Sequence, residues 1–204
     1  MLYLSGCINL NLPDEVGFMH TPMMGNSLYH GRTWAADTGC FAAPHKHDND
    51  KYLSWLHRHN DIAGQCLFAT APDVVGDAAA TLVQSTPMLK AVRQIGYRAA
   101  LVAQDGMEEL KIPWEEFDAL FIGGTTQWKL GSHAASIVQE AKRRDKWVHM
   151  GRVNSLRRLK FARSMGCDSA DGTHVAFQPD INVLKVQRWV QTLDCQPMLE
   201  GLVT

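Results

Sequence analysis

The sequence predicts a compact (β/α)8 barrel, an α/β fold in one domain spanning residues 1–204, and three observations carry that expectation. Eight short apolar runs each end in small or polar residues, helical patterns separate the later runs, and no phosphate-binding glycine motif follows the first run. The runs are MLYLSG (1–6), VGFMHTP (16–22), TWAADTG (33–39), CLFATAPD (66–73), RAALVAQDG (98–106), ALFIGGT (119–125), WVHMGRV (147–153) and CDSADG (167–172). A barrel of this kind normally takes about 250 residues, so this one must be compact, and residues 7–15 are too few for a full crossover helix. A doubly wound sheet is the alternative, but neither GxGxxG nor a P-loop opens its first turn.

The helices follow from apolar spacing and punctuation. Asp48 or Asp50 caps KYLSWLHRHN, whose Leu53, Trp55 and Leu56 supply an apolar face. DAAATLVQSTPMLKAVRQIG divides into two pieces at Pro87, because proline suits a first helical position, and Gly96 ends the second piece. Residues 132–145 follow the sixth run, and 154–166 follow the seventh with Asn154 or Ser155 as cap and Gly166 as stop. Residues 180–193 follow the eighth. The polar run His45–Asp50 is expected as a surface loop, and His45 and His47 as solvated residues rather than metal ligands.

Composition excludes several classes. A chain of 204 residues with 46% hydrophobic content buries roughly two-thirds to three-quarters of its unfolded surface without staples. A formal net charge of −1 offers no global attraction to nucleic acid or to an anionic membrane, so such a partner must meet a local patch. Five cysteines, widely spaced and without a CxxC pair, fit reduced thiols rather than a disulfide frame or a zinc knuckle. No basic leader precedes a long apolar run, and no 18 apolar residues occur together. The expectation is a cytoplasmic protein with no membrane partner, no metal and no cofactor.

In a barrel, reactive groups sit where strands end. Those ends carry Asp37, Asp73, Gln104–Asp105, Gly123–Gly124, Met150–Gly151–Arg152 and Asp171. Such a set could cleave a glycosidic bond: one carboxylate attacks the anomeric carbon, another handles protons, and glycines leave room for a flat ring. Asp168 is assigned to structure.

These residues also carry a resemblance. AADTGCF (35–41), LVAQDG (101–106), LFIGGT (120–125) and HMGRVNSLRRLKFARSMGCDSADG (149–172) are similar, in order, to motifs of the tRNA-guanine transglycosylase (queuine tRNA-ribosyltransferase) superfamily. The likeness covers residues 16–172. The family's tRNA enzymes are longer and carry a zinc site of three cysteines and a histidine after the nucleophile. Here only Cys195 follows, and THVAF replaces the arginine-rich segment. The chain therefore resembles the short, zinc-free branch found in bacteriophages, which exchanges guanine in DNA for a 7-deazaguanine base.

The resemblance implies a role for each position. Asp171 is the nucleophile toward C1′ and Asp37 the general acid/base. Gln104 bonds the base's carbonyl edge, Gly123 and Gly124 offer backbone donors, and Met150 lies on a ring face. Asp73, with Asp77 as an alternative, reads guanine's adjacent donors; Thr38 stands where the family has serine. The DNA base must be flipped out or unpaired. Phosphate contacts fall to Arg152, with the clusters Arg143–Arg144–Lys146 and Arg157–Arg158–Lys160–Arg163 as further candidates. The oligomeric state is left open, as are a tRNA substrate, a hydrolytic N-glycosidase or metal-dependent hydrolase, and a non-catalytic nucleic-acid-binding barrel.

Overall fold

A computed structural model of the chain describes residues 1–6, 12–24, 31–41 and 47–194. Eight parallel strands close on themselves in sequence order: β1 (Leu2–Ser5), β2 (Val16–His20), β3 (Trp34–Ala36), β4 (Cys66–Thr70), β5 (Ala99–Ala103), β6 (Ala119–Ile122), β7 (Trp147–Met150) and β8 (Ser169–Gly172). The last strand pairs with the first, with Leu4 beside Asp171, so the sheet has no free edge. All eight runs named from the sequence supply a strand.

Both faces of such a sheet are buried, which is why the strands read as nearly continuous apolar runs. Side chains still alternate. Leu4, Met19, Ala35, Phe68, Ala100 and Ala119 fill the barrel interior together with Phe121 and Trp147. Their neighbours in sequence, among them Tyr3, Phe18, Trp34, Leu101, Leu120, Val148 and Ala170, face the outer layer. Between Trp34 and Ala36 the β3–β4 register slips, since Trp34 pairs with Cys66 but Ala36 with Ala69. That irregularity lies just below the end of β3, where Asp37 leaves the sheet.

The helices are α1 (Asn49–Arg58), α2 (Ala78–Ile95), α3 (Thr126–Lys129), α4 (Ser132–Arg143), α5 (Leu156–Ser164) and α6 (Pro179–Asp194). Asp48, not Asp50, caps α1 by accepting from Lys51 N at 3.0 Å, and Ser155 caps α5. Gly96, at φ 111°, turns the chain out of α2 as only a residue without Cβ does freely.

One expected division is absent. α2 runs unbroken through Pro87. Proline removes the N–H that would reach the Val83 carbonyl, but Val83 is 78% exposed, so the missing bond falls on the solvent side of the helix and not in the core. The Thr86 hydroxyl meanwhile donates to Leu82 O at 2.7 Å. The connection from β1 falls largely outside the described residues, as do Cys7, His45 and Cys195. Cys40, Cys66 and Cys167 are buried free thiols. Among the described residues no helix is long and apolar enough to cross a membrane.

Asp168 sits at the opposite end of β8 from Asp171. It accepts from Lys142 Nζ at 2.7 Å and from Val148 N at 2.7 Å, tying α4 to the start of β7 as a structural carboxylate.

Candidate active site

The inward parity of the strands selects what reaches the mouth. On β8, Ser169 and Asp171 share the inward face; on β7, Trp147 and His149 do, and Gly151 continues it. A Cβ on Gly151 would stand 2.6 Å from the Phe121 ring and 3.4 Å from Asp171 Oδ1. Glycine there thus makes room for the Phe121 ring, while a Cβ would do no more than touch the Asp171 carboxylate.

Asp37, directly after β3, lies across the same mouth. Its Oδ1 accepts from Thr70 Oγ1 at 3.1 Å, and Thr70 Oγ1 in turn accepts from Thr38 N at 3.1 Å. Burial, followed by the negative charges of Asp73 and Asp171, pushes the Asp37 carboxyl up to about 6. Three carboxylates therefore share one opening, and one of them holds its proton toward neutrality.

Asp73 and Gln104 form the next part of the rim. Gln104 Nε2 donates to Asp73 Oδ2 at 2.5 Å, while Gln104 Oε1 accepts from Gly76 N at 2.9 Å and Gly124 N at 3.0 Å. Cys40 Sγ donates to Asp73 Oδ1 at 2.9 Å, and the Thr38 hydroxyl donates to Cys40 Sγ at 3.0 Å. Burial and then Asp73 push the Cys40 thiol up to about 12, so it stays protonated as a donor. Burial also raises the Asp73 carboxyl above the usual range, against the hydrogen bonds from Cys40 and Gln104.

This network corrects several expectations. The Gln104 carbonyl is spent on backbone amides, so the side chain braces the rim instead of presenting a free acceptor and donor pair to a base. Gly124 N is engaged by Gln104, and Gly123 N donates to Ala103 O at 3.0 Å, so neither glycine offers a free backbone donor. Both are nonetheless required, since a Cβ on Gly123 would meet Gln104 Nε2 at 2.7 Å, and Gly124 has φ 56°. Met150 points away from the mouth: it is fully buried in the layer between sheet and helices, as its parity opposite His149 dictates. The Thr38 hydroxyl is buried and committed to Cys40. Asp77 caps α2 by accepting from Ala80 N at 2.9 Å, which removes it as a reader of the base.

Positive charge is concentrated near the end of β7. Arg152, at φ 60°, donates to the carbonyls of Gly123 and Gly124 and lies 4.8 Å over the Phe41 ring. Lys129 is fully buried and donates to Gly151 O at 2.6 Å. Burial, then the charge of Arg152, brings its ammonium down to about 8, against the attraction of Asp171. Arg157 and Arg158 line a cavity of about 640 Å³ with Asn154, Ser155 and Phe161. The other cluster is committed elsewhere. Arg143 and Arg144 pair with Glu140, and Lys146 donates to Phe117 O.

His149, Thr70, Cys40 and Lys129 were not singled out from the sequence. His149 Nε2 lies 3.0 Å from Asp171 Oδ1, and its Nδ1 lies 2.8 Å from Ser169 Oγ. The set is no serine-hydrolase triad: Ser169 is fully buried below the histidine, and the carboxylate is the member that faces the opening. Among the described residues, no group of three or more His, Cys, Asp or Glu could hold a metal ion.

No family model matches the chain, and neither does any curated protein. Solved structures do. Klebsiella pneumoniae BlrP1, in a calcium and cyclic di-GMP complex, matches with 18% identity over 69% of this chain and 37% of its own, at a TM-score of 0.42. The PaMucR phosphodiesterase in complex with c-di-GMP matches with 15% identity over 70% of this chain and 60% of its own, at 0.43. Dihydrodipicolinate synthase from Aquifex aeolicus matches with 8% identity over 83% of this chain and 74% of its own, at 0.35. The chain thus spans less than two-thirds of the length of the first two. Likeness this distant concerns barrel architecture alone, which the closed strand order already establishes.

Proposed function

We propose that the chain is a base-exchanging transglycosylase acting on guanine in DNA, replacing it with a 7-deazaguanine through a covalent deoxyribosyl–aspartate intermediate. The observation that carries the reading is that Asp171, at an inward position near the end of β8, and Asp37, directly after β3, stand at the same end of the closed barrel, where burial first, and then the charges of Asp73 and Asp171, raise the Asp37 carboxyl. Double displacement at an anomeric carbon needs one ionised carboxylate as nucleophile and one carboxyl able to give and take a proton near neutrality.

In the first half-reaction Asp171 attacks C1′ and the C1′–N9 bond breaks, its electron pair leaving with guanine. Asp37 supplies the proton that the departing base takes up. In the second, the incoming base loses its proton to Asp37 and attacks C1′, and the bond to Asp171 breaks. Two inversions give retention, and the proton inventory of Asp37 is restored. In this reading Asp73, whose two oxygens each accept one hydrogen bond, from Cys40 and from Gln104, uses its remaining lone pairs to accept from the donors on guanine's edge. Arg152 and Phe41 offer the strand a cation and an exposed ring at the rim.

Nucleoside mass analysis of guanine-containing single-stranded DNA, incubated with the protein and a 7-deazaguanine base, tests the proposal. The parent is expected to insert the base, and Asp171→Asn to lose at least about 1,000-fold in rate and to form no protein–DNA adduct. Guanine release beyond one equivalent per protein, with no base supplied as acceptor, would instead mark a hydrolytic N-glycosidase. No release under either condition overturns the reading.

A further inference from the structure

Beneath Asp171 the barrel interior holds a line of three polar side chains on adjacent strands. Trp147 Nε1 lies 2.8 Å from Ser169 Oγ, Ser169 Oγ 2.8 Å from His149 Nδ1, and His149 Nε2 3.0 Å from Asp171 Oδ1. His149 and Ser169 are fully buried. The imidazole is packed against Phe68 and Phe121, with ring centroids at 5.1 and 4.6 Å, so it has no room to swing away.

The direction of each hydrogen bond follows from donor capacity. An indole N–H only donates, so Ser169 Oγ accepts from Trp147. Ser169 Oγ has no third partner among the described residues, so its one hydrogen goes to His149 Nδ1. A neutral imidazole that accepts at Nδ1 carries its proton on Nε2, and that N–H points at Asp171. We infer that Trp147 and Ser169 lock His149 in the Nε2–H tautomer and that His149 is a positioning residue, clamping Asp171 Oδ1 and leaving Oδ2 as the attacking atom. No described residue donates to Oδ2. The clamp itself stands on the hydrogen bonds, whereas the attacking role of Oδ2 rests on the function proposed above.

A carboxylate on a short side chain can rotate about its last bond, and attack demands a lone pair aimed at C1′. Holding one oxygen from below fixes that rotation before substrate arrives. The oxygen held by an N–H is also the less nucleophilic of the two, so the clamp assigns different tasks to the two oxygens.

The decisive measurement is a long-range 1H–15N spectrum of the imidazole rings in uniformly 15N-labelled full chain, with the His149 signals assigned by their loss in His149→Gln. The expected pattern is a protonated Nε2 and an unprotonated Nδ1. In Ser169→Ala, which removes only a hydroxyl from the interior, the unprotonated Nδ1 loses its hydrogen bond and its resonance should move downfield, while the Asp171 carboxylate holds the proton on Nε2. A protonated Nδ1 in the parent, or a Ser169→Ala spectrum identical to the parent's, overturns the lock.

Base-exchange kinetics then read the positioning role. His149→Phe should lower kcat about 10- to 100-fold with KM for the incoming base unchanged, and His149→Gln, whose amide can still donate, should recover part of that loss. Full activity in His149→Phe, or equal loss in the two variants, overturns positioning. If the parent exchanges no base at all, the proposed function falls, and the ring spectrum still decides whether the clamp exists.

Discussion

In the proposed exchange the chemistry turns on the Asp37 carboxyl, and its raised proton affinity has two measurable consequences. Guanine release in a single turnover needs Asp37 protonated, so the rate should fall as pH rises through about 6. A rapid-quench series between pH 5 and 8 checks this, and a flat profile would remove Asp37 as the acid. The same shift acts on stability. In the unfolded chain the carboxyl ionises near 3.8, whereas in the fold it keeps its proton to about 6. Ionisation therefore destabilises the fold, by an amount that begins as pH rises above the unfolded value and is complete above the folded one. Asp37→Asn should accordingly stabilise the protein at pH 7 by about 1–3 kcal/mol and leave it nearly unchanged at pH 4, measured by urea unfolding. Both acidic positions were legible in the sequence because each lies at a strand end in a short motif. His149 and Thr70 were not, because nothing in one strand's sequence says which residue of the next strand it will face.

Among the elements, α2 tests how far local rules reach. Proline 87 predicts two helical pieces, yet the helix continues because the carbonyl left without a donor belongs to exposed Val83. Pro87→Ala restores that N–H and should stabilise the protein by about 1–2 kcal/mol, less than the full helical penalty of proline because alanine also loosens the unfolded chain. Thermal unfolding checks it, with base exchange expected to stay at the parent's rate. The strand β7 makes the complementary point. Its outline, Trp147–Met150, is evident from the apolar run, but the side chain it presents to the site is His149 and not Met150. A shift of one residue in strand parity exchanges the inner and outer faces. That parity is fixed by the packing of Trp147 and Phe121 within the barrel.

At the scale of the molecule, closure of the sheet makes every strand depend on two neighbours. β1 bonds to β8 through four consecutive residue pairs, so loss of the last strand exposes the first. Far-UV circular dichroism and tryptophan fluorescence should therefore report one coincident unfolding transition in denaturant. Two separated transitions would show that part of the barrel melts alone. Closure also gathers the site, since Asp37, Asp73 and Asp171 come from loops and strands far apart in the chain and share one opening only when the eighth strand meets the first.

The sequence by itself determined the strand count, the position of most helices and the carboxylates of the mouth. These depend on local composition: continuous apolar runs, capping residues, and polar residues at strand ends. The tertiary structure decided how those residues are used. It turned Met150 outward and His149 inward, spent the donors of Gly123, Gly124 and Gln104 within the rim, and set Trp147, Ser169 and His149 beneath Asp171. Each of these outcomes depends on strand register and barrel closure, which arise from packing between segments and leave no mark on any one of them.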